Sequence, residues 1–214
     1  GVDLKDTRSV AILLDPPAER GIGMLSFNYD EGARDNETWL YLSALGRVKR
    51  IASGSSDDET EPGSMFGSEF TTEDQDTGKL DEYEINLLEE TTESGREVWK
   101  IETIPNAERA RKSRYSRTVL YVDKERFVEL RIEMYDQYGK EIKRMLGARV
   151  ELMNGIWVAR STTIMNLVTN RLSNMAFLEM HTGIDVPDEF LTQRTLTDAA
   201  FRETELEKLR AQID

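Results

Sequence analysis

The sequence has no cysteine and a single histidine, His181. Without cysteine there is no disulfide, no thiolate metal ligand and no cysteine nucleophile, although the compartment stays open. One imidazole cannot build the common zinc patterns, which draw on several His or Cys ligands. A Ser-His-Asp arrangement would have to use His181, and no Gly-x-Ser-x-Gly elbow supplies its nucleophile. His181 itself stands in "EMHTG" beside a turn, where a lone histidine is structural or solvated. No glycine loop is built to cradle phosphate, because "RGIGMLS" runs from Gly21 and Gly23 straight into a strand pattern. The acidic run "EDQDTGKLDEYE" misses calcium spacing: counted from Asp74, Gly78 falls one position before the glycine that the loop requires. No stretch approaches the roughly 18 apolar residues of a membrane-spanning helix. No basic-then-apolar leader opens at Gly1, as expected for a cytosolic chain or a trimmed, mature one. Positive charge is also short, with 28 Lys and Arg against 41 Asp and Glu and a net charge of -13. Such a chain repels phosphate overall, so nucleic acid is not an expected partner. Neither a cofactor, a metal nor an enzymatic activity is expected.

What the 214 residues do contain is a period of two. In "RFVELRIEMYD", Val128, Leu130, Ile132 and Met134 alternate with Glu129, Arg131 and Glu133, the pattern of a half-buried antiparallel strand. Similar strands are predicted over 8–14, 22–29, 37–42, 47–51, 81–89, 96–104 and 117–123. Longer ones follow in "IKRMLGARVELM", "IWVARSTTIMNLV" and "NRLSNMAFLEM". Turn chemistry separates them: Gly95, Gly139 and above all Asn154-Gly155, a strong hairpin signal. Gly147, inside a strand, suits a bulge or bend. Helix is scarce. Residues 197–214 carry a capped pattern with Leu206, Leu209 and Ile213 on one stripe, and 105–115 and 65–75 allow short turns of helix. The connection between Ile51 and Leu80 is long and patternless, opening with the solvated "SGSSDDETEPG". No linker divides the chain, so a single domain over 1–214 is expected.

One terminal helix cannot cover ten or more strands. Several strands are apolar on both faces: Trp39 and Tyr41 oppose Leu40 and Leu42, and Leu120 and Val122 oppose Val119 and Tyr121. That pattern fits the interior of a closed barrel or sandwich. It equally fits a curved sheet whose hollow side takes an apolar guest, for which the 8 methionines would be adaptable lining. Within the long connection, "GSMFGSEFTTEDQD" sets Met65, Phe66 and Phe70 among glycines and serines and closes with carboxylates, like a short apolar cap folded back onto something.

Two blocks carry a family resemblance. "WLYLSALGRVKRIA" (39–52) followed by "SMFGSEFTTEDQ" (64–75) resembles the signature of the LolA-like outer-membrane lipoprotein-sorting proteins. The matching positions are Trp39, Leu40, Tyr41, Leu42, Ala44, Leu45, Arg47, Arg50 and Ile51, then Phe66, Gly67, Ser68, Phe70, Glu73 and Asp74. Ser43 replaces the family's usual proline and Glu69 its aspartate. Later segments, including "NGIWVARSTTIMN" and "FLTQRTL", also fit, so the resemblance spans nearly all of 8–197.

The resemblance implies a mainly β fold with few helices: a strongly curved, unclosed antiparallel half-barrel, LolA/LolB-like, with short lid helices over an apolar cavity. It implies a periplasmic protein, after removal of a signal peptide, that shields the acyl chain of a lipid or lipoprotein on its way to the outer membrane. Candidate cavity and lid residues are Trp39, Tyr41, Met65, Phe66, Phe70, Trp99, Leu120, Leu130, Met134 and Trp157. The alternative is a non-catalytic protein that docks onto an inner-membrane export transporter of the RND type, using Arg47, Lys49 and Arg50 or "ERARKSR" against an acidic partner. Family members carry two or more strands ahead of "VAILLDPPAERGIGMLSF", whereas this chain starts almost there. The expectation is therefore of missing first strands and of an open edge at "SVAILL" that could pair two copies into a homodimer.

Overall fold

In the computed structural model, residues 6–29, 34, 36–51, 64–75 and 78–213 are described. The acidic opening of the long connection and the centre of the calcium-like run lie outside them. The contacts divide the chain into two compact units, Gly1–Ser55 with His181–Asp214, and Ser56–Met180.

The first unit holds a four-stranded antiparallel sheet in the order β1 (Thr7–Ile12), β2 (Gly23–Asn28), β3 (Glu37–Leu42), β4 (Arg47–Ile51). Its register puts Val10, Leu25 and Trp39 in one cross-strand row and Ile12, Gly23 and Tyr41 in the next. Two helices, α2 (Gln193–Thr197) and α3 (Ala199–Arg210), complete the unit. Leu196 of α2 is fully buried and its Cδ2 would lie 2.9 Å from a Cβ on Gly23, so the glycine lets the helix approach the sheet. Asp198 caps α3 by accepting from the Phe201 N–H at 3.0 Å. Arg202 reaches back to donate to the carbonyls of Thr195 and Leu196, which ties the two helices together.

The second unit is a seven-stranded antiparallel sheet in the order β11-β10-β9-β8-β7-β6-β5. Its strands are β5 (Tyr83–Glu93), β6 (Arg96–Pro105), β7 (Arg117–Asp123), β8 (Glu129–Tyr135), β9 (Glu141–Met153), β10 (Ile156–Asn166) and β11 (Arg171–Ala176). A short helix, α1 (Ala107–Ala110), joins β6 to β7, capped by the Asn106 side chain. Residues 64–75 form two single-turn helices, Met65–Gly67 and Glu73–Gln75, and are termed the cap.

Every strand expected from alternation is present, but they form two sheets rather than one, and neither is closed among the described residues. The break falls between β4 and β5, where the sequence loses its period and inserts the cap. Among the described residues the closed-barrel reading is thereby overturned. Gly147 is in β9 as expected, yet its role is close approach: a Cβ there would meet the Glu129 carbonyl oxygen at 2.5 Å. The register slips fall elsewhere, between Leu87 and Glu89 in the β5–β6 pairing, between Tyr121 and Val122 in β7–β8 and between Met134 and Tyr135 in β8–β9.

Candidate functional site

The capped face of the seven-stranded sheet can be traced residue by residue through its register. One cross-strand row runs Leu87, Ile101, Leu120, Ile132, Met145 and Ile164 from β5 to β10. A second runs Ile85, Thr103, Thr118, Met134, Lys143, Asn166 and Arg171. The first row is apolar throughout because side chains alternate across a strand and this phase faces the cap.

Burial changes steadily along that row. Ile164 is 0% and Met145 8% exposed, Ile132, Leu120 and Ile101 are half-buried, and Leu87 is 60% exposed. The cap explains the gradient. Phe70 packs with Tyr115, Met134, Met145 and Ile164 in one core cluster, with Met65 against it. The cap thus covers the β9–β10 end of the row, with Ile132 at its edge, and the stretch from β5 to β8 is progressively more open.

The second row turns polar under the cap, and there the cap's carboxylates find their partners. Asp74, whose side chain is fully buried, accepts from Lys143 Nζ at 2.7 Å, from the Thr71 N–H at 2.7 Å and from the Tyr115 hydroxyl. Lys143 Nζ also donates to the Glu69 carbonyl at 3.1 Å. Glu69 pairs with Arg171 at 3.1 Å and accepts from Asn166 Nδ2 at 2.9 Å. Glu73 accepts from the Ser113 hydroxyl and the Arg114 N–H. Burial is the main reason the Tyr115 hydroxyl is pushed well above the ordinary phenol range, reinforced by the Asp74 charge beside it. Burial likewise raises the Glu73 carboxyl, against the hydrogen bonds from Ser113 and Arg114. The carboxylates that close "SEFTTED" are anchors of the cap.

The opposite face is built differently. Val98, Val119, Tyr121 and Leu130 form its buried cluster. Arg131 lies 3.8 Å over the Tyr121 ring and pairs with Glu93 and Glu133, and Arg117 lies 3.8 Å over Tyr135. These cation–π and ion-pair ladders lie over the buried cluster.

The candidate residues separate accordingly. Met65, Phe70 and Met134 meet under the cap, with Phe66 in the cap at φ 55 and half-buried. Leu120 and Trp99 share the capped face by register. Phe70 is 4% exposed and plugs the capped half. Leu130 departs from its alternation: the slip between β7 and β8 turns it to the opposite face with Val98 and Tyr121. Trp157, at the start of β10, lies beneath Arg126 at 4.9 Å. Trp39 and Tyr41 belong to the four-stranded sheet, where Trp39 packs edge-on to Phe27 at 5.0 Å. The anchors Glu69, Lys143, Asn166 and Tyr115 escaped sequence reasoning. The available signal was Lys143, a lysine in phase with Met145 on a strand whose inward face should be apolar.

A cleft of ≈ 120 Å³ opens near the start of β8, lined by Val128, Glu129, Ile132, Met145, Gly147, Ala159 and Thr162. The β7–β8 turn that forms its wall is fixed by Asp123, fully buried, which accepts from Arg96 Nε at 2.8 Å and from the N–H groups of Glu125 and Arg126. The hydrogen bond from Arg96 holds the Asp123 carboxyl down to about 2, well below its ordinary range. Among the described residues no group of three or more His, Asp or Glu side chains could hold a metal ion.

A sequence family described as "Uncharacterized protein" matches residues 5–198. Among solved structures, an outer membrane lipoprotein-sorting protein domain from Vibrio parahaemolyticus superposes with a TM-score of 0.79 at 26% identity, covering 92% of this chain and 80% of that one. The chain belongs to the LolA-like family. The LolA-like fold is shared by a DUF1329 family protein from Desulfovibrio piger, at a TM-score of 0.72 and 23% identity over 94% of this chain and 79% of that one. A LolA superfamily protein from Nitrosomonas europaea gives 0.60 at 16% identity, over 86% and 76%. No curated protein matches the LolA-like chain in sequence.

Proposed function

We propose that this LolA-like protein is a non-enzymatic periplasmic carrier that shields acyl chains of a lipid or lipoprotein on their way to the outer membrane. The two units are read as one LolA-like domain, in keeping with a family match over 5–198. The observation that carries the reading is the apolar row from Leu87 to Ile164, closed by the cap at one end and open at the other. An acyl chain laid along the open half, against Ile101, Leu120 and Ile132, would leave water at about 0.8 kcal/mol per CH2. A long chain would gain on the order of 10 kcal/mol before costs. The sorting role named for the Vibrio parahaemolyticus domain supports the same reading, as does the absence, among the described residues, of a helix long and apolar enough to cross a membrane.

Native mass spectrometry with organic extraction tests the proposal. The expected result is a co-purifying or added acyl-chain species that is lost when Ile85 and Leu87, both exposed and therefore replaceable without unfolding, become Asp. A clean apo mass with no uptake of fatty acid or phospholipid would overturn it. That outcome would favour docking onto an inner-membrane transporter instead, for which the exposed Arg47 and Lys49 of β4 are the contact candidates.

A further inference from the structure

The carrier reading leaves one group without a role. Glu129 stands at the first position of β8, opposite Val122, on the wall of the cleft with Val128, Ile132, Met145, Gly147, Ala159 and Thr162. Apart from Glu129 the side chains of that wall are apolar, save for the Thr162 hydroxyl. Among the described residues no hydrogen bond or ion pair meets the Glu129 carboxylate, whereas the nearby Asp123 carboxylate is fully engaged. Burial pushes the Glu129 carboxyl above its ordinary range, with no neighbouring charge to offset it, although the residue as a whole stays exposed. A carboxylate beside apolar walls is less well hydrated than a free one, and a cation beside it offsets that loss.

The backbone that carries the carboxylate is held in place. It is pinned on one side by the turn that Asp123 organises and on the other by Gly147, which admits the Glu129 carbonyl where any Cβ would clash. A fixed backbone limits where the carboxylate can reach and so lowers the cost of pairing it with a ligand. The cleft adjoins Ile132 and Met145, two members of the apolar row, so a molecule in the row would present its polar end here. Its volume of ≈ 120 Å³ is enough for a small headgroup.

We infer that the cleft is a headgroup subsite in which Glu129 pairs with a primary ammonium carried by an acyl-chain amphiphile, such as an amine-bearing lipid. This inference rests on the carrier reading and adds a charge preference to it. The ammonium donates to the carboxylate oxygens while its chain runs along Ile132, Leu120 and Ile101. A charge-assisted hydrogen bond of this sort is worth about a tenfold preference over an uncharged hydroxyl at the same place.

The test compares dodecylamine, dodecanol and dodecanoate, each below its critical micelle concentration, by displacement of an environment-sensitive fluorescent fatty probe. Wild-type protein should bind dodecylamine about tenfold more tightly than dodecanol. Glu129→Gln should bring the two within about twofold while leaving dodecanol unchanged, and Glu129→Lys should favour dodecanoate. Equal binding of amine and alcohol by the wild type, or a preference that survives Glu129→Gln, would overturn the inference and leave the carrier reading standing. Binding of none of the three would defeat the carrier reading, and this inference with it. Glu129 is exposed, so both variants should retain the fold, as circular dichroism will show.

Discussion

Asp123 shows how much one side chain can organise. Its fully buried carboxylate receives Arg96 from the start of β6 and two backbone N–H groups from its own turn. Replacing it with Asn removes the charge that Arg96 faces and should cost roughly 2 kcal/mol, read as a lower urea midpoint at pH 7. The pH dependence follows from the depressed carboxyl, which sits at about 2 in the folded protein against 3.8 for the free side chain. An acid of this kind contributes its full stability above the unfolded value and loses it as the pH falls through the folded one. The wild type should therefore shed this contribution between about pH 4 and pH 2, and Asp123→Asn should show a flatter acid limb over that window. An identical acid limb in both proteins would show that Arg96 gains nothing from the charge.

At the scale of elements the cap is the informative piece. It is twelve residues long, too short to hold itself, and depends on Phe70 and on the acids Glu69, Glu73 and Asp74. Removing one partner of the buried Lys143–Asp74 pair leaves the other charge stranded, so Asp74→Ala should destabilise by about 3–5 kcal/mol. Lys143→Met with Asp74→Leu should recover most of that loss if the pair serves only to fasten the cap. Hydrogen exchange at the Met65 and Glu69 amides, which donate to the Phe70 carbonyl and the Ser173 hydroxyl, reports the opening directly: fast in the single variant, slow again in the double. The strands that the cap covers were legible in the sequence because alternation is enforced wherever one face is buried. Leu130 was misplaced because a bulge moves a residue to the other face without leaving any mark on the pattern. Helix α2 was missed because five residues with a half-turn of apolar character carry no detectable period. The anchors were invisible for a related reason: Glu69 and Lys143 are 74 positions apart, and only the folded register brings them together.

For the whole molecule, the two sheets each end in exposed strands, and β1 is one such edge of the four-stranded sheet. Among the described residues no strand pairs with the outer edge of Thr7–Ile12, and an edge of this kind is a template for a second copy. We expect a concentration-dependent dimer in light scattering that Val10→Pro abolishes, and a clean monomer at high concentration would dispose of it.

The apolar row has a length as well as a chemistry. Neighbouring strands lie about 4.8 Å apart, so the open stretch from β5 to β8 measures roughly 14 Å across the sheet. One leaflet of a bilayer is about 15 Å of hydrocarbon deep, which is the span of a single lipid tail. On the carrier proposal, the uncovered half of the face would serve as a ruler for one tail laid crosswise. A longer tail would have to lift Phe70 from its seat, and the cap would then act as the stop that measures chain length.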